Sequence, residues 1–455
     1  MDSRTSPVTR GDIPACATDV EPATPTPPGR AERSPSGSRI ARGLSLLRVF
    51  REGETELMLK QLTNRAGLAT GTAHRLSREL VELGVLDRTS GGFRPGPAIA
   101  HLVLRATTWP ALTIAVGPAA ENLHGLSGCP VSLYVPSGAG LLPMWRLTSH
   151  LGVSEYQPVP PVAEDLSSYL PALGRRTVVE GVAEGQTVLL SAIRGENGEP
   201  AAVLCITGDG GRVRRFAPAL TAAATEIGRI LRHTAEPAVL RRASEWPVPA
   251  RSVDASVLAR GINLLTCLRP GERSVRRTDV VDRAATPRST AYRCLGELLR
   301  SGVLDEPRKG VIGPGHIVRR LAGTAVAPCL PTDDRLRRLA ALGDASCWLT
   351  PVDPDLGIPL NGVVVRARTG AAGTVRSRFL EWALVSASVT DVFNDCASRR
   401  VLPRTTTPVG GLHAVAVPVR HAGVTSCLTV ITHGARRPLV ERLLRDLADR
   451  QALSA

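Results

Sequence analysis

Between Arg39 and Arg51 the apolar residues Ile40, Leu44, Leu47 and Phe50 recur at helical spacing, with charged residues between them. That pattern predicts an amphipathic helix with one buried face. A second helix is expected over 57–66, ended by Gly67, and a third from Thr70 to Leu83 that turns Ala73, Leu76, Leu80 and Leu83 inward. The period then changes. Val85 to Arg88 and Phe93-Arg94 flank Ser90-Gly91-Gly92, a tight-turn signal that predicts a two-stranded hairpin. Helix, helix, helix and hairpin make a winged helix-turn-helix, whose third helix is the one that enters the major groove.

The pattern returns at a constant offset of 218 residues, as Arg42-Gly43 to Arg260-Gly261, Thr72-Ala73 to Thr290-Ala291, Arg75 to Arg293 and Gly84 to Gly302. Register held through three elements indicates a duplication of whole domains. In the second copy, the stretch TDVVDRAATPRSTAYRCLGELLRSGVLD over 278–305 reads as two helices meeting at a tight turn. Thr286 is expected to cap the recognition helix and Pro287 to occupy its first position. Ala291, Cys294, Leu295, Leu298 and Leu299 face inward, which leaves Arg288, Ser289, Tyr292 and Arg293 on the outer face. The first copy has Leu68 where the second has Thr286, so it forfeits roughly 0.5–2 kcal/mol of capping. Gly71 in its first turn costs up to about 1 kcal/mol more. The second head is therefore expected to supply more of the affinity.

Behind each winged segment the chain alternates strands and helices. Strands are expected at Val131–Val135 and Leu141–Leu147, and a hairpin over 187–208 turns at Asn197-Gly198. A helix follows over 216–231. The second half repeats that ending with HAVAVPVRHAGVTSCLTVI and a helix over 438–447. Residues 1–37 are rich in Pro, Thr, Ser and Gly and read as a disordered tail; 234–253 read as a linker.

Composition narrows the function. A chain of 455 residues calls for several domains, and a formal charge of +15 favours a polyanionic partner, nucleic acid before membrane. Nine cysteines lie without a CxxC pair or histidine cluster, so neither a disulfide framework nor a zinc site is expected. Cys129, Cys205 and Cys427 are read as buried thiols rather than oxidation sensors. No apolar run reaches the about 18 residues of a spanning helix and no signal region opens the chain, so a cytoplasmic protein is expected. Nucleophile elbow, Walker loop, glycine fingerprint and metal box are all missing, so the chain is not read as an enzyme and no cofactor is expected.

The runs ARGLSLLRVF, LTNRAGLATGTAHRLSRELVELGVLDR and GGFRPGP resemble the DNA-binding domain of IclR-family transcriptional regulators, as do LARGINLLTCL, VVDRAATPRSTAYRCLGELLRSGVLD and GVIGPG. Pro287-Arg288-Ser289-Thr290-Ala291-Tyr292-Arg293 is similar to that family's recognition-helix opening; Ala69 to Arg75 is similar with losses. Gly96-Pro97 and Gly313-Pro314 are the matching Gly-Pro steps after each wing. The resemblance implies an α+β chain in which two winged helix-turn-helix domains, 38–105 and 254–325, alternate with two GAF-like effector-type domains, 106–233 and 326–455. It implies double-stranded operator DNA as partner, contacted by Thr70, Thr72, His74, Arg75, Arg88 and Arg94 in the first head. In the second head the contacts would be Arg288, Ser289, Thr290, Tyr292, Arg293, Arg308 and Lys309. The family's Ala-x-Gly-Lys segment beside its ligand pocket has Ala172-Leu173-Gly174-Arg175 as a remnant and no counterpart over 367–411, so a small-molecule effector stays an open partner. A homo-oligomer is a further open partner.

The function expected is a nucleoid-associated, sequence-specific transcriptional regulator with two heads in one chain, acting as a fused pseudo-dimer. The alternatives are a small-molecule sensor or protein-interaction module with vestigial heads, and a non-specific nucleic-acid binder.

Overall fold

The computed structural model describes residues 38–452 except 52–53, 151–152, 159–165, 184, 196–197, 235–255, 331–333, 344, 354–358, 368–374, 396–403, 406–411, 422–423 and 434–436. The expected N-terminal tail, nearly all of the linker and Asn197 of the hairpin turn lie outside the described residues.

The first winged unit comprises α1 (Arg39–Arg48), α2 (Leu59–Ala66), α3 (Thr70–Glu82), β1 (Leu86–Arg88) and β2 (Phe93–Pro95). Its apolar stripe is buried as the spacing predicts, with Ile40, Leu44, Leu47, Leu62, Leu76 and Leu80 almost fully covered. Two helices then lead out, α4 (Pro97–Thr107) and α5 (Pro110–Ser127). The module behind them contains β3 (Val131–Ser137), β4 (Gly140–His150), β5 (Val153–Pro158), the single turn α6 (Leu170–Leu173), β6 (Val178–Ala183), β7 (Gln186–Arg194), β8 (Pro200–Gly208), α7 (Gly210–Arg214) and α8 (Ala217–His233).

The second half opens with α9 (Val257–Asn263), β9 (Val275–Arg276), α10 (Arg277–Arg283), α11 (Arg288–Ser301), β10 (Leu304–Arg308), β11 (Val311–Pro314) and the lead-out helix α12 (His316–Val326). Its module contains α13 (Asp334–Gly343), β12 (Ser346–Pro351), β13 (Val363–Ala367), α14 (Val375–Asp395), β14 (Arg404–Thr405), β15 (Leu412–His421), β16 (Val424–His433) and α15 (Arg437–Ala452).

The two modules do not keep separate sheets. Eleven strands form one sheet in the order β14-β15-β16-β12-β13-β5-β4-β3-β8-β7-β6, joined across the halves where β13 pairs antiparallel with β5. Alternation along β5 sends neighbouring side chains to opposite faces. Tyr156 hydrogen-bonds the Gly117 carbonyl and Glu121 of α5, whereas Glu155 takes a 2.8 Å ion pair from Arg337 of α13. Because β5 is antiparallel to both β4 and β13, those two strands run parallel to each other. Each module therefore turns the opposite face to a given side. That is why α14 of the second module packs on α5 of the first.

The winged units meet through positions that correspond under the 218-residue offset. A Cβ on Gly43 would lie 2.8 Å from the Leu258 side chain, and one on Gly261 would lie 3.3 Å from Ile40. Gly43 corresponds to Gly261 and Ile40 to Leu258, so the two contacts are reciprocal. Helices α4 and α12, also counterparts, pack against each other. Arg105 of α4 donates to the Thr266 carbonyl (3.0 Å) and Arg320 of α12 to the Arg48 carbonyl (2.9 Å), which are again corresponding acceptors.

Two expectations need correction. The second wing has an irregularity between Asp305 and Arg308 that adds one residue, so Pro95 pairs with Leu86 as Pro314 does with Leu304. The counterpart of Gly96 is thus Gly315 and not Gly313. Both sit where a Cβ would strike backbone, 2.3 Å from the Gly84 carbonyl oxygen and 2.2 Å from that of Gly302. The cap on α11 also differs. Its N-cap position is Pro287, with no side-chain cap bond, so Thr286 lies one residue too far out to serve. Helix α3 is equally uncapped at Ala69, and the capping advantage expected for the second head disappears. The side-chain caps lie two helices earlier, on α1 and α9, where Ser38 and Ser256 each accept a backbone amide from three residues on. Thr286→Ala is accordingly expected to shift stability by less than about 0.5 kcal/mol. Ser256→Ala, which also loses its hydrogen bond to Glu79 of the other head, is expected to cost about 0.5–2 kcal/mol. Urea denaturation of the two variants checks the contrast.

Candidate nucleic-acid interface

Each winged unit presents a helix whose inner face is fixed by the core and whose outer face is open. On α3, Ala73, Leu76 and Leu80 are buried, while Thr70, His74 and Arg75 are exposed and Thr72 is half-buried. On α11, Ala291, Cys294, Leu295 and Leu298 are buried, while Arg288, Ser289 and Arg293 are exposed and Thr290 is half-buried. Tyr292 is 40% exposed, unusual for so large a ring. The candidates taken from helical spacing thus stand together on one face of each helix.

The wings separate the heads. Arg88 ends β1 exposed, but Arg94 is tied to Asp87, with Nε at 2.9 Å and a terminal nitrogen at 2.6 Å from one carboxylate oxygen. In the second head Arg308 and Lys309 are exposed at the wing tip beside Gly310, whose φ of 77° suits a residue without a Cβ. Arg288 reaches Asp282 at 2.7 Å on the surface, a pair that water screens and a stronger anion can displace.

Two basic residues here escaped the reading of the sequence. Strand β9, only Val275–Arg276, pairs with β11 and turns the second wing into a three-stranded sheet. In the first head the matching contact is the single bridge between Leu57 and Phe93. Arg276 is exposed on that strand, and Arg277 follows it with its guanidinium 5.6 Å from the centre of the Tyr292 ring. A two-residue strand has no period to detect, so alignment of Val275 with Leu57 was the one available signal.

Cys129, Cys205, Cys267, Cys294, Cys347 and Cys427 are buried free thiols. Burial pushes the Cys294 and Cys347 thiols up, away from the reactive thiolate. Among the described residues no group of His, Cys, Asp and Glu could hold a metal ion, and no single helix is long and apolar enough to cross a membrane. On the first module's sheet, alternate residues of β8 go to two cores. Leu204 and Ile206 join the main core, whereas Val203 and Cys205 face a smaller cluster with Tyr134, Leu141, Leu166, Leu173 and Leu190. The segment covering that cluster is held near its start by two hydroxyls, Ser167 Oγ accepting from the Leu141 amide and Tyr169 Oη from the Val182 amide. Leu173, in the segment expected beside a ligand pocket, is fully buried there.

Residues 40–90 and 257–307 both match the IclR helix-turn-helix domain. No curated relative matches the chain. Similar solved structures include an IclR homolog complexed with 4-hydroxybenzoate from Microbacterium hydrocarbonoxydans, at 23% identity over 43% of this chain and 100% of that one, TM-score 0.36. A transcriptional regulator from Rhodococcus sp. RHA1 is 19% identical over 43% of this chain and 98% of its own, TM-score 0.33. The IclR of Thermotoga maritima is 14% identical over 42% and 97%, TM-score 0.30.

Proposed function

We propose that this chain, which carries two IclR helix-turn-helix domains, is a sequence-specific DNA-binding transcriptional regulator whose two heads act as a fused pseudo-dimer. The observation that carries the reading is the reciprocal packing of Gly43 on Leu258 and Gly261 on Ile40. Isologous contact is how two identical subunits meet. Here it is made by one chain, so one chain holds two reading heads on a single duplex. Exposed Arg75 and Arg293 correspond under the offset and would read the same base or phosphate in each half-site. The neighbouring His74 and Tyr292 differ, so the half-sites are unequal. The filled face of the first module supports regulation without an effector bound there, against the small-molecule sensor. Operator DNA as partner implies a cytoplasmic, nucleoid-associated protein.

The test is selection of bound genomic fragments followed by footprinting of the best site. One protected site with two unequal half-sites is expected, occupied by a single chain. Arg293→Ala is expected to lose about 1–3 kcal/mol of binding and to relax preference within one half-site only. Arg75→Ala should do the same in the other half with a smaller loss. Uniform binding across fragments that vanishes with salt would instead establish a non-specific binder.

A further inference from the structure

Resting on that reading, we propose that Arg276, Arg277, Arg308 and Lys309 form a phosphate-binding cluster on the second head, without counterpart on the first, in which Tyr292 positions Arg277. The backbone brings these residues together. Arg276 pairs with Val311 next to the wing tip, and the Arg277 amide donates to the Gly310 carbonyl at 2.8 Å. Four cationic side chains thereby surround one turn, beside the exposed Arg288 and Arg293 of α11.

The nearby acids do not neutralise them. Glu306 accepts from the Gly310 amide at 2.6 Å, Asp282 holds Arg288, and the Thr278 hydroxyl is 3.3 Å from Asp279. The Arg277 Nε is buried without a hydrogen-bond partner. Its guanidinium lies within cation–π range of the Tyr292 ring, which fixes the group's direction without using its donors. A planar donor held with its N–H groups unspent suits a phosphate oxygen. Under the offset, Arg276 and Arg277 correspond to Met58 and Leu59, and the first wing's turn Thr89-Ser90-Gly91-Gly92 carries no charge. Met58 is 56% exposed, and the acid Glu56 accepts from the Thr89 hydroxyl at that turn, so the first head gathers no cations there. The chain would grip DNA harder with its second head and bind an asymmetric site in one orientation.

The experiment titrates the full chain against its selected duplex over about 50 to 200 mM salt, where each phosphate contact contributes about 0.9 to the slope of log K on log salt. Arg276→Ala and Arg277→Ala are each expected to lower that slope by about one, equally on cognate and scrambled duplexes. Tyr292→Ala should match Arg277→Ala, with the double variant no worse than either, and Tyr292→Phe should restore the loss. Met58→Arg, at an exposed site, should add about one. Wild-type slopes in both arginine variants would overturn the cluster, and additive losses in the double variant would overturn the positioning role. A wild-type chain that binds no duplex would sink the functional reading itself, and the cluster with it.

Discussion

Replacing Asp353 with alanine is expected to lower the unfolding free energy by about 3–5 kcal/mol. Its carboxylate receives two bonds from Arg105, Nε at 2.7 Å and a terminal nitrogen at 3.1 Å, with the side chains 0% and 5% exposed. The third guanidinium nitrogen donates to the Thr266 carbonyl, so one arginine joins the first lead-out helix, the second module and the second head. Removing the acid takes from a buried guanidinium the two carboxylate bonds that offset its burial, the costly way to break a buried pair. Replacing both partners, as Arg105→Met with Asp353→Leu, should recover most of the loss because the buried cation goes with the acid. The exposed Arg288–Asp282 pair serves as comparison and should contribute less than about 1 kcal/mol. Denaturant midpoints for Asp353→Ala, the double variant and Asp282→Ala decide it. Equal small losses at both pairs would mean that the junction is wetter than its geometry.

This junction was invisible in the sequence, and the reason is physical. Periodicity reports which face of an element is buried, so Ile40, Leu44, Leu76 and Leu80 could be placed from spacing alone. It does not report which distant element does the burying. Arg105 sits in a run of apolar residues and Asp353 in a Pro-rich turn, and each alone looks like a solvated charge. Strand β5 was missed for a related reason. Val153-Ser154-Glu155-Tyr156 alternates weakly, because Glu155 is buried on a face that Arg337 of the other half, with Gln157 on the same strand, makes tolerable. The recognition helices were legible because their outer faces answer to solvent and their inner faces to a local core. The cap on α11 was misplaced by one residue, a shift that Thr286-Pro287 cannot signal, since proline fits either the N-cap or the first turn.

Inserting five base pairs between the two half-sites is expected to reduce affinity by about 10²–10⁴, down to that of one head. Five base pairs turn the second half-site by about half a helical turn, given 10–10.5 base pairs per turn. Heads on a slack tether would follow it around the duplex. These heads have no slack. They touch through Gly43, Leu258, Gly261 and Ile40, their lead-out helices pack on each other, and their modules share one sheet. Reaching a rotated half-site would mean breaking the Arg105–Asp353 pair and the β5–β13 pairing together, which costs more than the second contact returns. A ten-pair insertion restores the face of the duplex but adds about 34 Å of separation, so it should not restore binding either. Selected sites would then show one spacing rather than a family of spacings. A five-pair insertion bound as tightly as the parent site would mean that the heads part on DNA, and that the packed arrangement is the form adopted off it.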